Sequence, residues 1–435
     1  MHLREILLTA VVLTLCALAL VRPRLGLFGY IWYATMRPDV LAWCADANNY
    51  SLYLAVCTLL GAVPYLSNLG RLVRSWSSAL FLTLQIPLAL STFLAVRPEL
   101  SYGLYTDFVK SFVVLLLIPV LIEDFQQLVQ LILLIGISIG VLGLKFGGFG
   151  IVHGGVIIVD GYGGQMSDNN LVGLALTMMI PLCWYGRALT ESRAFRWMLS
   201  GIVAVSVAGI VMTNSRGSSL ALGAVFLCII LRSRRKIAAL LVASVVAGAA
   251  IYLVRDEYIN RIATITHYEQ EASASSRIVY AEAAVKMWLD YPVLGVGFGG
   301  LNYMALAGRY MGLNNDHVAH NSYLQMLVDS GIIAFVFYIT LLFGTICYLG
   351  ISCRRIGREW PDVACMGVAL QTSLVAFAVG GTFYSSQRYD LPYIILMCSA
   401  AWELLVKSIE VEVSVDSQED VSSRLDTVRS PLLTS

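Results

Sequence analysis

Apolar stretches of about twenty residues recur along the whole chain. A helix needs about 20 mainly apolar residues to cross the hydrocarbon core of a bilayer. Such stretches lie at residues 3–21, 50–68, 76–96, 108–122, 127–147, 169–186, 196–213, 217–232, 236–254, 322–350, 362–381 and 390–407. The sequence therefore predicts an all-α polytopic membrane protein with about 12 transmembrane helices.

The composition agrees with a membrane environment. Hydrophobic residues make up 58% of the chain and charged residues 13%, whereas a soluble domain has about 25% charged residues. The net charge of +1 provides no global field for a nucleic acid, and no Walker or GxGxxG pattern indicates a nucleotide. We expect membrane lipids as the surroundings, with neither nucleic acid nor nucleotide as a partner.

The sequence divides into four parts. Residues 1–254 form a transmembrane bundle of about nine spans, 255–321 a long loop, 322–407 the last three spans, and 408–435 a polar, disordered tail. A run at residues 25–36 is too short to cross the bilayer, and we place it at the interface or as a re-entrant segment. The first span resembles a signal peptide but lacks a clear cleavage site, so we expect a retained helix.

Basic residues in short loops predict the orientation, because cytoplasmic loops are enriched in Lys and Arg. Clusters occur within residues 71–74, 187–196, 232–236 and 354–358. These loops have the same parity, which places both termini in the cytoplasm and the loop 255–321 on the opposite side.

The loop at residues 255–321 is long enough to be functional or disordered. Residues 273–290 show helical spacing, and Tyr291-Pro292 ends that helix. A tight turn follows, supplied by Gly295, Gly297, Gly299 and Gly300. We therefore expect the loop to be a small folded cap over the bundle.

Two arginines are candidates for binding an anion. Arg216 lies at the outer end of two adjoining spans, where the positive-inside bias disfavours a cation. It could instead reach lipid head groups or stabilise the C-terminus of the preceding helix. Arg277 lies near the start of the predicted cap helix, on one face with Tyr280, and its guanidinium could bind a phosphate bidentately. Its alternative is a salt bridge with Glu271, Glu282 or Asp256.

Two histidines precede the long span that starts near residue 322. His317 and His320 are three residues apart and could begin a zinc site, but no third ligand has a recognisable spacing, so we expect no metal. A neutral imidazole at His320 could instead act as a general base toward a hydroxyl. The alternative for both histidines is a structural, hydrogen-bonded role.

Other polar residues on the same side could line a cavity. They are Lys145, Asn321, Tyr384, Arg388 and Tyr389. The glycine-rich segment at residues 147–164 is more simply interpreted as a surface loop.

Several segments together resemble the O-antigen ligase and polymerase superfamily, most closely an O-antigen ligase (WaaL-type). They occur in the family's order within residues 200 to 350: Asn214-Ser215-Arg216-Gly217-Ser218, Ser276-Arg277, Asp290-Tyr291-Pro292-Val293-Leu294-Gly295-Val296-Gly297, His320-Asn321-Ser322-Tyr323-Leu324-Gln325 and Asp329-Ser330-Gly331.

This resemblance implies a multi-pass protein of the bacterial inner membrane with an active site that faces the periplasm. It implies glycan transfer from an undecaprenyl diphosphate carrier to a sugar hydroxyl of lipid A core, with inversion and without a metal or other cofactor. Arg216 and Arg277 would bind the diphosphate, and His320 would be the catalytic base.

Three alternatives remain. A Wzy-type O-antigen polymerase and a protein O-oligosaccharyltransferase would share the site and differ in the acceptor. A lipid or solute transporter would use the arginines only to bind an anion, and His320 would then be dispensable. No helix carries the internal charged series that suits ion coupling, which weakens the transporter hypothesis.

Overall fold

The structure, a computed structural model, describes residues 3–42, 49–153, 160–163, 165–233, 235–237, 240, 241, 244, 248, 252, 272–311 and 317–429. The first half of the chain is almost entirely helical. It comprises α1 (Leu3–Val21), α2 (Pro23–Met36), α3 (Pro38–Leu41), α4 (Tyr50–Gly61), a 3-10 segment (Val63–Leu69), α5 (Gly70–Arg74), α6 (Trp76–Phe93), α7 (Pro98–Leu115), α8 (Leu117–Leu121), α9 (Phe125–Gly143), a π-helical turn (Leu144–Gly148) and α10 (Phe149–Val152).

A short antiparallel hairpin separates the two halves. It is formed by β1 (Asp160–Gly163) and β2 (Met166–Asp168). The second half comprises α11 (Asn169–Gly186), a 3-10 turn (Arg187–Leu189), α12 (Arg193–Met212), α13 (Arg216–Arg232), α14 (Ala272–Asp290), α15 (Leu301–Met311), α16 (Ser322–Ile356), α17 (Pro361–Gly380) and α18 (Asp390–Arg429).

Eight helical segments in the described part of the chain are long and apolar enough to cross a membrane. They are Leu3–Val21, Trp76–Phe93, Pro98–Leu121, Phe125–Val152, Asn169–Leu189, Arg193–Met212, Ser322–Ile356 and Pro361–Gly380. Tyr50–Gly61 and Val63–Arg74 add a ninth if this pair, bent by 73°, is one span. The all-α membrane architecture is confirmed, whereas the number twelve stays a prediction.

The remaining three predicted spans have different outcomes. The stretch 217–232 lies in α13, a helix of 17 residues. The stretch 390–407 lies within α18. Most of 236–254 lies outside the described residues.

Two further predictions concern the C-terminal tail and the short apolar run at residues 25–36. The tail that we expected to be disordered from residue 408 continues α18 as far as Arg429. Residues 408–429 contain neither proline nor glycine. The short run 25–36 forms most of α2, which packs against α1, α4 and α9. Because Leu27 and Ile31 are fully buried, α2 lies within the bundle, and its placement in the bilayer stays a prediction.

Helix α11 lies at the centre of the bundle. It packs against α9, α12, α13 and α17, and every residue from Val172 to Cys183 is buried. Small residues let these helices approach closely, as small-residue interfaces do in membranes. A methyl group at Gly173 would overlap Ser218 of α13, and one at Gly136 of α9 would overlap Cys183.

The described residues 272–311 and 317–321 form the cap, which has its own apolar cluster. This cluster joins α14, α15 and the first turns of α16 through Ala284, Met287, Val296, Tyr303, Leu306, Ala319 and Val328. The helix predicted at residues 273–290 is confirmed. The glycine turn is also confirmed, because Gly295, Gly297, Gly299 and Gly300 all have positive φ.

Candidate functional site

His320 lies at the end of the cap, two residues before α16 begins, in a strained conformation. Its φ of 50° falls in the left-handed region, which a residue with a side chain enters at a cost. The next residue, Asn321, caps α16, because its Oδ1 accepts from the backbone N–H groups of Tyr323 (2.9 Å) and Leu324 (3.1 Å). Asn321 thus fixes the backbone beside His320. Its side chain, which we expected to line a site, is instead bonded to the first turn of α16.

The side-chain rings of Tyr280, His317 and His320 lie close to one another. The ring centroids of Tyr280 and His317 are 5.9 Å apart, those of Tyr280 and His320 6.0 Å, and those of the two histidines 5.9 Å. Arg277 precedes Tyr280 by one helical turn, so both lie on the same face of α14. The sequence-predicted Arg277, Tyr280, His317 and His320 are thus brought together.

The surroundings of His320 favour its neutral form. Burial lowers the pKa of its imidazole below the ordinary value of 6.5, and the charges of Arg277 and His317 lower it further. Asp168, which caps α11, opposes this effect. The imidazole is therefore available at neutral pH to accept a proton.

Tyr384 connects this group to the start of α13. Its hydroxyl is hydrogen-bonded to the Ser215 hydroxyl and lies 3.1 Å from Ser218 Oγ. A side chain at Gly217 would overlap the Tyr384 ring, so glycine is required there for the close approach. The contact fixes the first turn of α13, on which Arg216 is an exposed residue.

Both predicted anion-binding arginines lie near Tyr384. The positive charge of Arg277 acts on the Tyr384 hydroxyl, and Arg216 directly follows Ser215, to which that hydroxyl is bonded. Arg277 forms no salt bridge with Glu282, which pairs with Lys286 at 3.8 Å; Glu271 and Asp256 lie outside the described residues. Arg277 is therefore not neutralised by Glu282 of its own helix.

Three other sequence-predicted residues lie apart from this group. Lys145 Nζ is 4.7 Å from the centroid of the Tyr162 ring, next to the hairpin. Arg388 is half-buried and lies within the electrostatic reach of Asp329. Tyr389 lines a different cavity, described below.

Asp329 is a buried residue to which sequence reasoning gave no role. Its carboxylate accepts from Gln325 Nε2 (2.7 Å) and Gln387 Nε2 (3.2 Å). Its carbonyl accepts from Ser91 Oγ and the Gly297 N–H, both at 2.8 Å. Asp329 therefore holds α6, α16, the glycine turn of the cap and the loop after α17 together. A charged residue within an apolar span is the sequence signal that could have identified it.

A polar cavity of about 340 Å³ lies beside the β-hairpin. Its wall includes Tyr30, Tyr33, Arg37, Asp39, Gln165, Met166, Tyr389 and Asp390. The Arg37 guanidinium forms a forked pair with the buried carboxylate of Asp39, with N–O distances of 3.1 and 2.8 Å. Met166 lies two residues before Asp168 on β2, about 7 Å along the strand. The hairpin thus connects the cavity wall at Met166 with Asp168, whose charge acts on His320.

No group of three or more His, Cys, Asp or Glu side chains within the described ranges is arranged to hold a metal ion.

Comparisons with known protein families found two matches. Residues 201–339 match the family model described as O-antigen ligase. Residues 3–191 match a model described as a family of unknown function (DUF5935). No curated protein was found to match the chain. The first matched region contains Arg216, Arg277, His320 and Asp329.

Proposed function

The chain belongs to the O-antigen ligase superfamily, and from that premise we propose that it transfers a glycan from undecaprenyl diphosphate to a sugar hydroxyl of lipid A core at the periplasmic face of the inner membrane. Family and fold already give the coarser statement, that it is a bacterial membrane enzyme of the ligase or glycosyltransferase type in the O-antigen pathway.

The observation that carries the proposal is the half-buried His320 imidazole beside Arg277. In the proposed step, His320 accepts the proton of the acceptor hydroxyl while its oxygen attacks the anomeric carbon. The bond from that carbon to the phosphate oxygen breaks, and the diphosphate leaves with the bonding electrons. A single displacement of this kind inverts the anomeric configuration.

Arg277 and Arg216 are proposed to stabilise the leaving group. Negative charge develops on the diphosphate as its bond to the sugar breaks, and fixed cations at a partly dehydrated boundary stabilise that charge. The donor bond is already activated by its diphosphate, so the proposed step needs neither nucleotide nor metal.

The cavity beside the hairpin offers polar groups that could bind a sugar of the donor or the acceptor. Its forked Arg37–Asp39 pair, the Gln165 amide and the Asp390 carboxylate can donate to and accept from hydroxyl groups. Its volume of about 340 Å³ falls in the range of about 300–1,000 Å³ for small-molecule sites.

The test is transfer by the purified protein in lipid nanodiscs, with an undecaprenyl-diphosphate-linked glycan and lipid A core. We expect a glycosylated lipid, detected by mass spectrometry. Arg277→Ala should lower the rate about 100- to 1,000-fold, the usual effect of removing a transition-state donor. Arg309→Ala, an exposed arginine of α15, is the matched control and should leave it unchanged.

The alternatives give different products in the same assay. A longer glycan on the carrier would show a Wzy-type polymerase, and a glycosylated protein a protein O-oligosaccharyltransferase. Binding of the donor with no covalent product, together with full activity of His320→Ala in a transport assay, would show a transporter and overturn the proposal.

A further inference from the structure

A second pocket lies at the end of the bundle far from His320. It is lined by Arg71, Arg74, Glu123, Leu404, Leu405, Lys407, Ser408 and Val411, with a volume of about 480 Å³. We propose that this pocket binds the phosphate-bearing head group of an anionic phospholipid.

The two arginines have no carboxylate partner among the described residues. Arg71 and Arg74 are three residues apart on α5, and neither forms a salt bridge in the described ranges. Arg71 Nη2 donates to the Ile122 carbonyl at 2.7 Å, while its buried Nε has no partner in the described structure. The Arg71 guanidinium is thus held in place and partly dehydrated, a state that favours an anion beside it.

The nearby carboxylates have other partners. Glu123 accepts from Asn68 Nδ2 at 3.2 Å and is exposed. Glu403 is fully buried, where it accepts from Ser75 Oγ (2.7 Å) and the Trp76 N–H (3.1 Å) and pairs with Lys407 (2.8 Å). Glu403 thus balances Lys407. Glu123, in the pocket wall, attracts Arg71 without forming a salt bridge, so the two arginines leave the pocket with a net positive charge.

The position of the pocket favours the phosphate of a membrane lipid over a soluble phosphate as its ligand. Helix α18 begins at Asp390, directly after the loop that carries Tyr384, and it reaches the pocket at Lys407. These 17 residues of helix span about 26 Å. This length is close to the roughly 30 Å thickness of the hydrocarbon core. The pocket therefore lies at the membrane boundary opposite the histidine site.

The pocket wall suits an amphipathic ligand. Leu404, Leu405 and Val411 form an apolar side next to the arginines. Basic pockets between transmembrane helices on the cytoplasmic side bind anionic head groups, and each Lys or Arg near an anionic surface contributes about 1 kcal/mol. A zwitterionic lipid offers the same phosphate with a compensating cation, so we expect it to bind more weakly.

The test is native mass spectrometry of the full-length protein in detergent, titrated with dioleoylphosphatidylglycerol or dioleoylphosphatidylcholine. We expect one phosphatidylglycerol to bind preferentially. Arg71→Gln combined with Arg74→Gln should weaken that binding roughly 25-fold, about fivefold for each charge. The double lysine variant, Arg71→Lys with Arg74→Lys, should retain most of it and shows that the site still folds.

Arg354→Gln combined with Arg358→Gln is the matched control, because both arginines are exposed at the same end of the bundle but outside the pocket. Equal loss in this control, or equal binding of the two lipids by the unmodified protein, would overturn the proposal. Displacement of the bound lipid by millimolar inorganic phosphate would show that free phosphate is the ligand and would also overturn it.

Discussion

At the scale of single residues, the histidine site combines a strained backbone with a partly dehydrated side chain. His320 and Asn214 are two of the three non-glycine residues with positive φ in the described part of the chain. Both lie in segments that resemble those of the O-antigen ligases. Strain of this kind costs about 1–3 kcal/mol and persists where surrounding contacts determine the conformation. Here those contacts are the Asn321 cap on α16 and the contact of Tyr384 with Ser215.

The pH dependence of transfer should report on His320. A general base is active when neutral, and the pKa of this imidazole is lowered below 6.5. Activity should therefore persist at pH 6.5 and fall only as the pH drops through the lowered pKa. The measurement is the pH profile of kcat/KM. An acidic midpoint above 6.5 would contradict the assignment.

Two variants should move this midpoint in opposite directions. His317→Gln removes a charge that lowers the pKa of His320, so the midpoint should rise. Asp168→Asn removes a charge that raises that pKa, so the midpoint should fall. Shifts in the same direction would indicate a general loss of structure rather than an electrostatic effect.

Sequence reasoning identified several candidate residues but not how they are connected. The spacing of His317 and His320 and the position of Arg277 could be interpreted locally. The contact of Tyr384 with Ser215 joins residues 169 positions apart, and the influence of Asp168 on His320 depends on a hairpin far away in the chain. Contacts over such separations have no local sequence signal, so neither Ser215 nor Asp168 could be given a role from the sequence.

At the scale of elements, α16 is interrupted at Gly331. This glycine has φ 72° and ψ −178°, a conformation open almost only to glycine. A methyl group there would overlap the backbone carbonyl of Val293 in the cap. The interruption therefore lets the glycine turn of the cap pack directly on the helix backbone.

Gly331→Ala should destabilise the protein. Strain at this position alone costs roughly 1–3 kcal/mol, and the overlap with Val293 adds to it. Gly223→Ala is the control, because Gly223 lies within α13 with open space around it, and alanine favours the helix by up to about 1 kcal/mol. The melting temperatures of the two purified variants in detergent measure both changes in stability. A melting temperature of Gly331→Ala equal to that of the unmodified protein would contradict the proposed role of this glycine.

Hydropathy predicted the long helices because length and apolarity determine them. It did not predict the hairpin of β1 and β2, whose short polar strands gain their stability from packing on α11. Helix α15 was not predicted either, although Tyr303, Leu306 and Ala307 lie at helical spacing. Its apolar face is short, and the four glycines that precede it indicate a turn rather than the start of a helix.

At the scale of the whole molecule, polar groups are sorted to opposite ends. Helix α13 separates Arg216 from Arg232, and its 17 residues span about 25 Å. Helix α16 likewise starts beside His320 and ends near Arg354 and Arg355. The basic clusters used to predict orientation thus lie at the end opposite the histidine site.

Cysteine labelling tests the predicted orientation. Thr382 is exposed at the histidine end, and Arg358 is exposed at the other end. In intact spheroplasts, Thr382→Cys should add labelling by a membrane-impermeant maleimide over the unmodified protein, whereas Arg358→Cys should add it only after lysis. The reverse pattern would place the histidine site in the cytoplasm and refute the proposed function.

The bonds of Asp329 limit how this protein could be re-engineered. This one residue connects four segments that are distant in the sequence. We therefore expect most substitutions of Asp329 to prevent folding. Tyr33 and Gln165 line the cavity that we propose to bind a sugar. A search for altered sugar preference would therefore be more productive at Tyr33 and Gln165 than near the aspartate.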